Sequence, residues 1–350
     1  MDRQAVWQFM ERFVDMAAGS ATIFTLAVAD RSGLLDVLGS SEAVTAAQAA
    51  DAGSLDLRYV EEILAQLAAS EVLEYDPDAR TFLLPPEHAA VIADDSSPYA
   101  MTGWLDMLPT AGGFIDDIAE ATRHGGGVPA ERYGERMVRA VDRANAPSTR
   151  ILLTRRWLPA MPDVVDRLER GVHVADVGCG AGTAVLTMAD AFPASRFTGY
   201  DLDPRAVALA TEKAAASRLT NVEFEVCSVD ELPTDPPFDL ITAFDVVHDL
   251  AAPAAALARI RHALAPDGTF LMMEPAVAAA LEDNIEPRVA LLYGVSLMFC
   301  LTQSLAAGGA GLGTAWGPER AEVLCREAGF LRFRRLPVEN PFSAFYEVRR

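Results

Sequence analysis

The stretch VHVADVGCGAGTAVL, residues 172–186, decides the fold. An apolar run ends in Gly178, Gly180 and Gly182, and a helix-forming segment follows. Glycines at that point let the chain turn tightly and let a ligand approach the backbone. The helix start beyond them offers N–H groups with no partner inside the helix. A glycine loop is a weak signal alone, but strand before and helix after is the context it needs.

The next strand-like run ends FTGYDLD. Asp201 stands 23 residues after Gly178 (201 − 178). An acid about 20 residues on, at the end of the second strand, accepts hydrogen bonds from ribose hydroxyls. Together the loop and Asp201 predict an adenosine-type ligand across the strand ends. The spacing here is G-x-G-x-G rather than the dinucleotide G-x-G-x-x-G, and Asp176 precedes it. A carboxylate there repels a pyrophosphate and welcomes an ammonium. S-adenosylmethionine carries an ammonium and a sulfonium and no phosphate, so it is favoured over NAD.

Outward from this stretch the chain alternates strand and helix. VHVADV, RFTGY, VEFEV, FDLITAF and TFLMM read as strands. GTAVLTMADAF, PRAVALATEKAAASR and PAAALARIRHAL read as helices between them. Such alternation predicts a parallel sheet covered on both faces. The helix PERAEVLCREA begins with Pro318 and stops at Gly329. The last two runs, LRFRRL and SAFYEV, are joined by a link too short for a helical crossover, so they are expected to be antiparallel.

Toward the amino terminus, residues 5–38 repeat apolar positions at helical spacing. Thr45 and Asp56 are placed to cap two further helices, and EVLEY and TFLL flank the turn DPDAR. Helices followed by a two-stranded wing form a winged-helix pattern. The helix that would enter a DNA groove, DLRYVEEILAQLAAS, has one Arg against three acids. Phosphate contact needs Lys and Arg, so packing or dimerisation is the preferred role. Residues 100–170 are mostly helical, broken by RHGGGVPAERYG.

The 350 residues carry 29 Lys and Arg against 50 Asp and Glu, a net charge of −21. Such a surface repels nucleic acids and anionic membranes. Cys179, Cys227, Cys300 and Cys325 are far apart with no CxxC pair, which suits reduced thiols in the cytoplasm. No signal peptide is expected, because no basic stretch leads into an apolar one at the start. The apolar runs read as interrupted before about 18 residues, so no membrane span is expected.

The segments VADVGCGAGTAVLTMA, GYDLDP, CSVDELP, FDLITAFDVVHD and LAPDGTFLMMEP follow one another in the order of the class I S-adenosylmethionine-dependent methyltransferase motifs. Over roughly 170–350 the chain resembles that family. The amino-terminal region resembles the winged-helix dimerisation domain of small-molecule methyltransferases, and GGGVP and GGAGLGTAWG resemble a bacterial branch. The resemblance implies a winged-helix domain over 1–98, a helical connector and substrate lid over 99–170, and a Rossmann-like domain with a seven-stranded sheet over 171–350. It implies a homodimer and a small-molecule acceptor, hydroxyl-bearing like many secondary metabolites.

Carried over residue by residue, the resemblance places Asp176, Gly178, Gly180 and Gly182 at the methionine part and Asp201 at the ribose, with Cys179 and Leu202 also among the cofactor-binding positions. Ser228 stands where the family has an acid for the adenine amino group. Either Asp230 compensates, or the Val229 backbone holds the base. Phe244 and Asp245 follow the fourth strand and lie near the sulfonium.

His248 comes four residues after Phe244, at the mouth of the transfer site. A histidine followed by an aspartate serves as general base in related O-methyltransferases, so His248 is the candidate base with Asp249 beside it. The family's next residue is tryptophan and here it is Leu250. The plain alternative is that His248 caps a helix or bonds a loop carbonyl. Glu274, at the end of the fifth strand, either orients His248, binds substrate or satisfies a loop. Tyr293, Met298, Phe299 and Trp316 either line a substrate cavity or belong to ordinary core.

A sharper rival is metal-assisted methylation of carbon beside an α-keto acid. It needs a second histidine near 290–305, and LLYGVSLMFCLTQSLAAGG has none. Cys300 is a poor substitute by composition, so no metal site is assigned. A protein that binds S-adenosylmethionine for other chemistry is the remaining rival enzyme.

Overall fold

The computed structural model describes residues 1–40 and 42–350. The chain forms two compact units, Met1–Pro109 with Arg143–Pro147, and Thr110–Asp142 with Ser148–Arg350. The segment 99–170 is thus shared between them.

In the first unit, α1 (Arg3–Arg31) starts at Asp2, whose carboxylate accepts the Gln4 and Ala5 N–H groups. After α2 (Leu34–Gly39), Thr45 and Gln48 form a reciprocal capping box on α3 (Ala46–Gly53). Asp56 caps α4 (Leu57–Ala69). The wing follows as β1 (Glu74–Asp76) paired antiparallel with β2 (Thr81–Leu83), then α5 (Pro86–Ile92). The winged-helix pattern read from the sequence is present. Leu34, Leu35, Leu38, Val60, Leu64 and Leu67 fill its core. Only the end of α1 joins them, through Leu26, Ala27 and Ala29. Its front half leaves Trp7, Phe9, Phe13 and Val14 exposed. Arg143 is bonded to both Asp30 and Asp95 and lies 3.7 Å from Asp106.

The helices α6 (Trp104–Gly112), α7 (Ile115–His124), α8 (Ala130–Leu152) and α9 (Pro162–Arg170) follow. The doubly wound part then runs β3 (His173–Val177), α10 (Thr183–Ala191), β4 (Arg196–Asp201), α11 (Pro204–Ser217), β5 (Val222–Val226), β6 (Phe238–Phe244), α12 (Pro253–Ala263) and β7 (Leu264–Pro275). It ends with α13 (Pro287–Val295), a π-helical turn (Ser296–Cys300), α14 (Leu301–Ala306), α15 (Pro318–Glu327), β8 (Arg332–Arg335) and β9 (Ser343–Arg349).

The sheet order is β5-β4-β3-β6-β7-β9-β8. Strands β3 to β7 are parallel, and β9 runs antiparallel to both β7 and β8. The seven-stranded sheet and its antiparallel close agree with the sequence reading. Alternate residues feed opposite faces. Ala175, Ile241, Phe270 and Met272 join one buried cluster, and Val174, Leu240, Leu271 and Met273 join the other. The strand order reverses at β3, with β4 on one side and β6 on the other. In open sheets of this kind the crevice beyond the carboxyl ends at such a reversal receives the ligand.

One expectation is corrected. Arg3–Arg31 and Pro287–Ala306 are each long and apolar enough to cross a membrane by length and composition. Residues 289–306 contain no charged side chain, so that run is not interrupted. Its polar members are Ser, Thr and Gln, which break apolarity far less than a charge does. Of the span Pro287–Ala306, 39% of the most apolar window is buried inside the protein.

Candidate active site

The turn after β3 is set by close contact. Gly178 has φ +65°, and a Cβ there would lie 2.6 Å from a Val246 methyl. No side chain fits. The contact ties the glycine loop to the exit of β6, two residues before His248.

Asp176 is buried on β3, and Thr242 Oγ1 on the neighbouring β6 donates to its Oδ1 at 2.5 Å. Burial pushes this carboxyl up to about 7, the Thr242 hydrogen bond opposes the rise, and the charge of Asp201 adds to it. At 1.36 kcal/mol per unit, ionising it in the free protein costs roughly 4 kcal/mol more than in water. A cation at this position would recover that energy.

Asp201 accepts the Gly180 N–H at 2.8 Å on one oxygen and the Asp203 N–H at 2.9 Å on the other. It thereby fixes the loop across the β3–β4 gap. Burial raises its pKa as well. Leu202, next to it, is 70% exposed. Cys179 is buried, and burial first, then Asp176 and Asp201, raise its thiol. The Cys227 N–H donates to the Asp201 carbonyl at 3.0 Å, which draws the next loop toward β4. There Ser228 caps the short turn Val229–Glu231 by accepting the Asp230 N–H. Its hydroxyl is therefore used locally, and Asp230 is exposed.

Beyond β6, Phe244 packs against Trp157 with ring centres 6.0 Å apart. Asp245 has φ +57°, a conformation that costs a non-glycine residue energy and is over-represented at functional sites. Its N–H donates to the Met273 carbonyl. Burial pushes its carboxyl up to about 7, with His248 pulling down and Glu274 and Asp249 pushing up. This left-handed corner turns the chain into the 3₁₀ turn Val247–Asp249.

His248 is the one buried histidine among the described residues. His248 Nδ1 lies 2.6 Å from Glu274 Oε2. Trp316 Nε1 donates to the same oxygen at 3.1 Å, and Val247 N–H donates to Oε1 at 2.9 Å. On the other side of the ring, Nε2 lies 3.2 Å from Asp249 Oδ1. The other Asp249 oxygen accepts from Gln303 Nε2 at 2.9 Å. Burial works against charge on the ring. Asp249 and Glu274, with hydrogen bonds to Cys300 and Glu274, outweigh it and hold His248 well above the ordinary 6.5. The arrangement is a carboxyl–imidazole–carboxyl relay, closed on the Glu274 side and a quarter exposed at Asp249.

Cys300, missed as a site residue in the sequence, completes the group. Its sulfur, the His248 ring and an Asp249 oxygen offer ligand atoms all within 4.8 Å of one another. Burial, then Asp249, pushes the thiol up to about 12. The glycine-rich segment 308–317 brings it there. A Cβ on Gly309 would lie 2.4 Å from Ala251 Cα, and the Ala310 N–H donates to the Ala251 carbonyl. Ser304 Oγ donates to the Leu250 carbonyl. These contacts hold α14 against the turn that carries His248.

The other expected substrate residues divide. The Met298 carbonyl accepts from Tyr133 Oη at 2.6 Å, and Phe299 meets the Tyr133 ring edge-on at 5.0 Å. Phe114 covers the other side of Tyr133, with centres 4.4 Å apart. Tyr293 is exposed and Trp316 is buried in core beside Glu274. The GGGVP loop is tied down, because Val128 N–H donates to Thr302 Oγ1 at 2.8 Å. Tyr133, Gln303 and Thr242 had no signal in the sequence, since their roles come from partners far along the chain.

Residues 168–306 match a family model described as a methyltransferase domain, and residues 20–94 match one described as an Rv2258c-like winged HTH domain. A trans-aconitate 2-methyltransferase of Methylobacterium nodulans is 33% identical over 119 residues, 34% of this chain and 42% of that protein. A ubiquinone biosynthesis O-methyltransferase of Neisseria meningitidis is 31% identical over 101 residues, 28% of this chain and 42% of that one. The chain thus spans about two fifths of the length of these curated relatives. Among solved structures, human N-acetylserotonin methyltransferase in complex with SAM superposes with a TM-score of 0.72 at 20% identity, covering 100% of this chain and 98% of that one. That likeness is one of fold.

Glu274 is the accepting group for three buried donors, so its loss strands all of them. Glu274→Ala is expected to lower unfolding free energy by about 3 kcal/mol, measured by urea denaturation. A change below about 0.5 kcal/mol, the range of an ordinary surface substitution, would contradict this role.

Proposed function

We propose that this chain, which carries a methyltransferase domain and an Rv2258c-like winged HTH domain, transfers a methyl group from S-adenosylmethionine to a hydroxyl of a small organic acceptor. The observation that carries the reading is the contact of Gly178 with Val246. It joins a loop built for an ammonium-bearing nucleoside to a turn built to handle a proton.

The residues fit that cofactor. Buried Asp176 would take the ammonium, whose charge supplies what the site lacks. Asp201 would accept from ribose hydroxyls, and exposed Leu202 would give the adenine an apolar face. No Lys or Arg lies in residues 176–186 to neutralise a pyrophosphate. When bound, S-adenosylmethionine supplies an electrophilic methyl carbon. The chain's own work is to hold the acceptor in line and take its proton. Glu274 fixes the His248 ring through Nδ1. Nε2 and Asp249 Oδ1 then form one proton-sharing pair, which gives up the proton that the neighbouring acids hold on His248 before it takes one from the acceptor. Tyr133 is buried and holds the Met298–Phe299 segment through its hydroxyl and ring, so it would support an acceptor pocket rather than line it.

We also infer a homodimer formed through α1. Trp7, Phe9, Phe13 and Val14 are each more than half exposed. A run of large apolar groups on one helix is a docking surface rather than a solvated face. The net charge of −21 disfavours a polyanionic occupant. The four free cysteines suit a reducing, cytoplasmic setting.

Three outcomes follow. Below about pH 7 the free protein carries neutral Asp176, while an ammonium demands the carboxylate, so binding there releases a proton. S-adenosylmethionine affinity is expected to fall about tenfold per pH unit below 7 and to level off above it. Calorimetry checks this, and a flat profile, or one unchanged in Asp176→Asn, would sink the assignment. His248→Ala is expected to keep cofactor affinity and lose transfer by about 10²- to 10⁴-fold. Full turnover in that variant would remove His248 from the mechanism. Light scattering should show a dimer that Phe9→Asp with Phe13→Asp converts to monomer; a wild-type monomer refutes the α1 interface.

A further inference from the structure

We propose that His248, Asp249 and Cys300 form a site for one divalent transition-metal ion of the zinc class, with Glu274 as its outer support. The three donors are an imidazole nitrogen, a carboxylate oxygen and a sulfur, all within 4.8 Å of one another. Zinc takes this mixed set, with bonds of about 2.0–2.3 Å. Ligands around it then stand about 3.5 Å apart, close to the 3.2 Å between Nε2 and Asp249 Oδ1 and within the 4.8 Å spread of the set.

Each donor is prepared. Glu274 occupies Nδ1 of His248, so Nε2 is the position left for a ligand. A metal-bound histidine commonly gives its other N–H to a carboxylate, which fixes the ring and strengthens the donor. Glu274 itself is fixed by Trp316 and Val247. Gln303 holds one Asp249 oxygen, while the other is buried and lacks a hydrogen-bond partner among the described residues. It forms an ion pair with Nε2 at 3.2 Å, a pairing that a bound cation lying between the two donors would replace. Cys300 ends a π-helical turn, a distortion often kept at functional sites.

Three protein ligands leave a fourth position open, the pattern of catalytic rather than structural zinc. On binding, the Cys300 thiol and the His248 Nε2–H both give their protons to solvent, so that thiolate, imidazole and carboxylate coordinate. An acceptor oxygen at the open position would lose its proton more readily. That use of the ion rests on the methyl-transfer reading, whereas the site does not.

The test titrates chelator-treated full-length protein with Co²⁺, on its own and after Zn²⁺. The expected result is a thiolate-to-cobalt charge-transfer band that saturates at a single Co²⁺ per chain and is displaced by Zn²⁺. Cys300→Ser should remove the band, Asp249→Asn should weaken binding by at least about tenfold, and Cys325→Ala should leave it intact. Asp249 is partly exposed, so Asp249→Asn is the variant best placed to stay folded. No band in the wild-type protein, a band that survives Cys300→Ser, or unweakened binding by Asp249→Asn would overturn the site. Calorimetry with S-adenosylmethionine on the same samples separates the two readings. Cofactor binding without the cobalt band overturns the metal site alone. The band without cofactor binding overturns the methyl-transfer reading alone.

Discussion

The acceptor side of this protein depends on one buried carboxyl group. Glu274 sits at the end of β7 and takes hydrogen bonds from Val247, His248 and Trp316. Those donors come from the turn after β6 and from the glycine-rich segment near residue 316. Without a shared acceptor they would be three buried donors on two pieces of chain, each costing about 1–3 kcal/mol unpaired. With it, the histidine ring has a fixed plane and a defined free nitrogen. The glycine loop then packs on Val246, two residues away, so cofactor loop and proton-handling turn are set by the same corner.

The chemistry follows from two environments that treat acids differently. Asp176 is buried next to a neutral threonine, so its charge waits for a ligand. Around His248 two acids, Asp249 and Glu274, share one cationic partner, so charge there is partly balanced within the group. On the proposed reading, one half of the site receives a cation from the cofactor and the other handles the acceptor's proton.

How much of this was legible depends on how local each feature is. The sheet was readable because apolar strand-like runs alternate with helical ones and most turns are marked by Gly, Pro or Asp. The glycine loop and its acid were readable as a local unit, because Asp176, the glycines and Asp201 lie within 26 residues (201 − 176 + 1) and their spacing reflects one βαβ unit. The acceptor side was not. Cys300 is 52 residues beyond His248 (300 − 248) and is held near it by long-range contacts such as Gly309 on Ala251 and Gln303 on Asp249. No periodicity encodes that approach. Trp316 had two readings in the sequence, and its bond to Glu274 places it in the core. The run 289–306 shows the converse failure, where apolarity alone passes the test for a membrane span.

The most direct measurement is a crystal structure of the protein soaked with S-adenosylhomocysteine. The expected density places the amino group within hydrogen-bond distance of Asp176, the ribose on Asp201 and the sulfur facing the His248 turn. Density that puts the ribose away from Asp201, or a cleft that stays empty at saturating ligand, would contradict the assignment of this site.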